Sequence, residues 1–196
     1  MNTPHSGHEI YLHVRVMIGI IVGLSVARLL TGMSRFIQHP KREHVYLVHL
    51  GWAIAILLSV VHFWWWEFRL QEIADWYFVE YACVLFYAIL FFLLSTILFP
   101  DKLDEYKGFK DYFISRKGWF FGILALTFLV DVWDTLLKGN EYAAALGLEY
   151  IIRTIAYLFL CLLAIFINNQ RFQSAFVIIS LLYQISWILR LYHAFP

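Results

Sequence analysis

Hydrophobic and polar positions in this chain do not alternate; they segregate into long apolar runs separated by short polar breaks. The runs cover 14–37, 45–68, 76–99, 119–137, 146–167 and 172–192. Each is close to or above the ~20 residues that a helix needs to cross a hydrocarbon core of about 30 Å. The breaks carry helix-ending residues: Pro40 with Lys41 and Arg42, Gln71 to Asp75, Pro100 with Asp101, Lys138-Gly139-Asn140, and Asn168-Asn169-Gln170-Arg171. The pattern predicts an all-α polytopic membrane protein, a bundle of six transmembrane helices forming a single domain over residues 1–196.

One connection, 100–118, is much longer than the others. It interleaves Lys102, Lys107, Lys110, Arg116 and Lys117 with Asp101, Asp104, Glu105 and Asp111, and adds Tyr106, Phe109, Tyr112 and Phe113. This mixture predicts an amphipathic loop lying on the lipid headgroups, where a cytoplasmic protein is a candidate partner.

Composition agrees with the pattern. Of 196 residues 62% are hydrophobic and 15% charged, with a mean hydropathy of +0.69, which excludes a water-soluble enzyme. Lys plus Arg number 15 against 14 Asp plus Glu, so no basic surface points to nucleic acid. Cys83 and Cys161 both fall inside apolar runs and read as packing residues. The opening MNTPHSGHEI lacks a basic leader, so the N-terminus is expected to stay attached.

Charge is distributed unevenly between the two sides. Arg35, Lys41, Arg42, the five basic residues of 100–118 and Arg171 share one side; Arg15, Arg69, Lys138 and Arg190 share the other. The positive-inside rule makes the first side cytoplasmic and places both termini outside.

Ionisable residues within the spans are the candidate chemistry, because each costs a few kcal/mol to insert and needs a partner. Thr127, Asp131, Asp134 and Lys138 fall on one stripe of span four, and Glu149, Arg153 and Tyr157 on one stripe of span five. At 1.5 Å per residue Asp131 and Asp134 lie about 18 and 22 Å along their span. That puts them in the outer half with Glu67, Glu80 and Glu149, facing Arg153 and Arg190. The excess of carboxylates fits a site that attracts a small cation or exchanges protons. The competing account is a set of salt bridges, Arg153 with Asp131 or Asp134 and Arg190 with Glu67 or Glu80, fixing helix order. Arg28, about 21 Å along span one, lies in the inner half with no acidic residue of another span at its level. It is a candidate for an aqueous path, for a lipid phosphate, or for snorkelling to carboxylates of the loop.

Other motifs give less. His49 and His62 lie in one span about 20 Å apart, a spacing that keeps a haem-binding electron-transfer reading open. No metal-binding cluster, nucleotide-binding or hydrolase motif appears, so neither metal nor cofactor is assigned. Trp64-Trp65-Trp66 read as an anchor at the outer headgroups. Gly19 and Gly23 form a G-x-x-x-G pair that permits close helix approach within or between subunits.

The runs GLSVARLLTG in span one and VHLGWAI and FWWWEFRL in span two resemble a group of small, uncharacterised bacterial multi-span membrane proteins. The resemblance covers about the first 70 residues and implies a bacterial inner membrane, without an activity or site to carry over. The residues themselves favour a small-cation or proton channel or secondary transporter, in contact with membrane lipids and assembled as a homo-oligomer. Its ion-pathway candidates are Asp131, Asp134, Glu149, Arg153, Glu80, Glu67 and Arg28. A non-conducting sensor or partner subunit of a membrane complex is the alternative.

Overall fold

The computed structural model describes residues 7–39, 45–73 and 76–194. Among these the regular elements are all helical: α1 (Gly7–Gln38), α2 (Leu47–Trp66) continued by a 3-10 turn (Glu67–Glu72), α3 (Phe78–Leu98), α4 (Phe109–Leu137), α5 (Asn140–Phe166) and α6 (Gln170–Ala194). All six are long and apolar enough to cross a membrane, so the chain is a multi-pass α-helical membrane protein. The breaks predicted at Pro40 to Arg42 and at Asp75 lie outside the described residues.

Helix α1 packs on α3, α3 on α4, and α4 on α5. Helix α2 touches α1 and α3, and α6 leans on α2 while meeting α5 only sparsely. Side chains explain this arrangement. In α2, Trp52, Ile56, Val60 and Phe63 recur at helical spacing and are all buried. The ring of Trp52 packs edge-on against Phe120, Phe121 and Phe176 from α4 and α6. Lipid-facing positions such as Val16, Ile20 and Leu24 of α1 remain exposed, as hydrocarbon requires.

The segment 100–118 differs from its expected form. Only its first part is a loop; from Phe109 onward it is the first three turns of α4. Phe109, Tyr112 and Phe113 turn into the core instead of onto headgroups. Lys117 is buried too, donating to the carbonyls of Ala164 (3.0 Å) and Ile167 (2.9 Å), which the end of α5 leaves without helical partners. A local reading of mixed charge misses this because the partners of both the aromatics and the lysine are distant in sequence.

Two glycine findings bear on packing. At Gly32 an added Cβ would sit 2.1 Å from the Phe99 ring, so α1 is notched to receive that side chain. Gly19 faces the Trp64 ring and Gly23 has no neighbour within 4 Å, so within the chain this pair does not bring two helix backbones together. A third glycine, Gly147, adopts φ 69° and ψ −169° inside α5 and breaks it into a short outer piece and a long span. The span predicted to begin at residue 146 corresponds to the part after this break.

Candidate functional site

At the end of the bundle that carries the α4–α5 connection, α2, α3, α4, α5 and α6 line a cavity of about 130 Å³. Its polar wall is built mainly by α4, on which Thr127, Asp131, Asp134 and Thr135 share the inward stripe. Thr127 satisfies its own hydroxyl by donating to the carbonyl of Ile123, four residues back.

Asp131 is the centre of one network. Its Oδ1 accepts from Tyr87 Oη at 2.9 Å, and its Oδ2 accepts from Tyr150 Oη and from Arg153 Nη2, each at 3.0 Å. Because the single Tyr150 hydroxyl proton points to Asp131, the Thr135 hydroxyl, 3.0 Å away, donates to Tyr150. The guanidinium of Arg153 lies over the rings of Tyr150 and Trp187, at 5.0 and 4.7 Å. Asp131 is therefore fully engaged.

A second cluster lies one turn further along α4, toward its C-terminal end. Lys138 caps α4 just before Gly139 reverses the chain with φ 109°. Its side chain runs back along the helix to Asp134, with an Nζ to Oδ2 contact, and reaches Glu67 Oε1 at 2.8 Å. The Lys138 side chain is 1% exposed, and both carboxylates are buried. Burial works against the lysine's charge, but the carboxylates of Asp134 and Glu67 more than offset it and hold its pKa above the usual value. Glu67 is delivered by the switch of α2 into a 3-10 turn, anchored by the fully buried Leu70. Two carboxylates thus share one ammonium, and Glu67 Oε2 and Asp134 Oδ1 are buried without a hydrogen-bond partner.

Beside this cluster lies a wider groove of about 490 Å³, lined by Tyr11 and Arg15 of α1 and by the run from Trp64 to Gln71. Trp66 and Glu67 line both the groove and the cavity. Trp66 Nε1 donates to Tyr142 Oη at the same level.

The remaining sequence candidates sit elsewhere. Glu149 does not face the cluster; it accepts from Arg190 at 2.8 and 2.6 Å and from Tyr183 at 3.0 Å, in a half-exposed link between α5 and α6. Arg190 therefore pairs with Glu149 and not with Glu67 or Glu80. Glu80 caps α3, accepting from the Tyr77 backbone N–H at 3.0 Å. Arg28 reaches the loop, donating to Asp101 Oδ1 and to the Phe99 carbonyl, each at 2.6 Å. The acidic cluster of the sequence thus contracts to Glu67, Asp131 and Asp134.

Of the two histidines of α2, His49 is engaged within the protein. His49 Nε2 is 2.6 Å from the Leu98 carbonyl, and its ring is packed among Phe36, Phe99, Phe109 and Phe113. His62 stacks on Trp66 at the cavity wall. Among the described residues no three His, Cys, Asp or Glu side chains converge as metal ligands.

Tyr87, Tyr142 and Tyr150 are the site residues that sequence reasoning missed, and Lys138, placed on the stripe of span four, was not paired with Asp134 or Glu67. The i, i+4 spacing of Asp134 and Lys138 was a usable signal, obscured because Lys138 stands at a helix boundary. Fold and site together define a multi-pass α-helical membrane protein in which two buried carboxylates share one buried lysine, beside a groove lined by Arg15 and Arg69. No family model, curated protein or solved structure matches the chain.

Proposed function

We propose that the protein moves protons across the membrane, with Glu67, Asp134 and Lys138 as the exchanging site. The observation that carries this reading is the sharing of one buried ammonium by two buried carboxylates. Glu67 and Asp134 bring two negative charges, Lys138 brings one positive charge, and Asp131 is balanced separately by Arg153. Burying the surplus charge is costly, and the cheapest neutralisation is a proton held between the two free carboxylate oxygens. A metal cation fits less well, because Lys138 Nζ already occupies the position between the carboxylates that such an ion would need. The groove and the cavity meet at Glu67, which gives the exchanging site access to both.

By the charge asymmetry of the connecting segments this cluster faces outside, with both termini on that side. A bacterial inner membrane and a homo-oligomeric assembly complete the proposal. The test is proton uptake by liposomes containing the protein under an imposed potential, followed with an entrapped pH indicator. Uptake by the wild type that is lost in Glu67→Gln supports the proposal; uptake equal to that of empty liposomes refutes it.

A second reading, a non-conducting sensor or partner subunit, is favoured by a different observation. Asp131 with Arg153, Glu149 with Arg190, and Arg28 with Asp101 are each conventional pairs that tie neighbouring elements together. In that reading the exposed charges Asp101, Lys102 and Asp104 offer the contact surface for a cytoplasmic protein.

A further inference from the structure

Below the charged residues the same cavity changes character. Its walls there are aromatic, with Trp52, Phe91, Phe128 and Tyr157 contributing ring surface, while Trp187 lies against Arg153 at the charged level. Several polar atoms of lining residues have no partner: Trp52 Nε1, His62 Nδ1, Arg153 Nε and Ser180 Oγ, with the carboxylate oxygens Glu67 Oε2 and Asp134 Oδ1 at the charged end. Trp52 and Ser180 are each more than nine-tenths buried. Native interiors rarely leave such groups unpaired, and each calls for an occupant that completes its hydrogen bonding.

The chemistry of these atoms restricts the occupant. The indole N–H of Trp52 and the Nε–H of Arg153 can only donate, so the occupant must accept. An anion is disfavoured, because Arg153 is already neutralised by Asp131 and the carboxylates Glu67 and Asp134 line the same cavity. A cation is disfavoured by the donors themselves. A neutral acceptor remains, and the ring-lined walls select a planar apolar body to carry it. The whole cavity, charged wall included, measures about 130 Å³, a little below the cavity of roughly 150 Å³ that accepts benzene in another protein.

The packing of the helices supplies a route. Helix α6 is held by α2 and approaches α5 only sparsely, so the two backbones are joined there by side chains, Tyr157 to the Ser180 carbonyl and Glu149 to Tyr183 and Arg190. Ile155 and Leu182, more than 60% exposed, mark the lipid-facing surfaces of these two helices.

We propose that the inner part of this cavity binds a small neutral ring compound bearing a carbonyl-type acceptor, taken from the bilayer between α5 and α6. The binding does not depend on proton movement, so either proposal can fail without the other.

The test is equilibrium binding of radiolabelled acetophenone to the protein in lipid nanodiscs, corrected for partitioning into empty discs. Ethylbenzene, of similar shape without the acceptor, is the control. Acetophenone is expected to bind saturably and about tenfold more tightly than ethylbenzene, the value of one hydrogen bond to a buried donor. Trp52→Phe, which keeps an aromatic ring but loses the N–H, is expected to weaken acetophenone about tenfold and leave ethylbenzene unchanged. Ser180→Ala gives the same discrimination with a smaller change in packing should Trp52→Phe fail to fold. Absence of saturable binding, equal affinity for the two probes, or indifference to the variant that folds would each overturn the proposal.

Discussion

Glu67 and Asp134, on different helices, grip the same lysine: Lys138 Nζ contacts Asp134 Oδ2 and lies 2.8 Å from Glu67 Oε1. This unequal count of charges predicts an unequal response to mutation. Glu67→Gln or Asp134→Asn leaves a balanced ion pair, so either single change should alter thermal stability by less than about 1 kcal/mol or raise it. Lys138→Met leaves two buried carboxylates without their cation and should cost about 3–5 kcal/mol. Unfolding of the purified variants in detergent decides this; equal losses for all three would mean that the charges are individually essential to packing.

Asp131 and Arg153 form the balanced counterpart. Asp131→Asn strands Arg153 in a mostly buried site and should destabilise by about 3 kcal/mol, and Arg153→Gln should do the same by stranding Asp131. The double variant should recover at least about 1 kcal/mol relative to the sum, a coupling expected of residues in direct contact. Additive losses would show that the pair is not coupled in the bilayer. Tyr87→Phe and Tyr150→Phe each remove one hydrogen bond to a charged oxygen, a loss of about 1.5–3 kcal/mol.

Gly32 receives the Phe99 ring at a distance that excludes a side chain. Gly32→Ala should therefore destabilise by about 1–3 kcal/mol through overpacking. Adding Phe99→Leu should return part of that loss, because the smaller side chain vacates the contact. No recovery in the double variant would indicate that the backbone of α1, and not the ring, resists the extra methyl.

Orientation rests on the Lys and Arg count. Reporter fusions at Glu105 and after the final residue should report opposite sides, Glu105 inside and the C-terminus outside. A cytoplasmic C-terminus would invert the direction in which the acidic cluster faces.

The helices themselves were readable because six apolar runs have one physical explanation, the thickness of a bilayer. The charged interior was only half readable. Asp131, Asp134 and Arg153 announced themselves as ionisable groups in apolar surroundings, where each must find a partner. Which partner it finds depends on how helices rotate against one another, and this is invisible to spacing along one chain. Glu149 and Arg153 share a stripe four residues apart, yet Arg153 turns to α4 and Glu149 to α6. Lys138 looked like a boundary residue because its Cα is one, while its flexible stem carries the ammonium back into the protein. The Phe109 to Lys117 segment was misjudged for the same reason, since its aromatic and basic residues are satisfied by α1, α2 and α5.

The central claim is that Glu67 and Asp134 hold one exchangeable proton between them. Infrared spectroscopy of the protein in bilayers at neutral pH, in H2O and in D2O, measures this most directly. The account predicts a carboxylic acid C=O band that shifts in D2O and disappears in both Glu67→Gln and Asp134→Asn, because each variant leaves a single ionised carboxylate opposite Lys138. A wild-type spectrum without that band, or a band that survives in both variants, would contradict it.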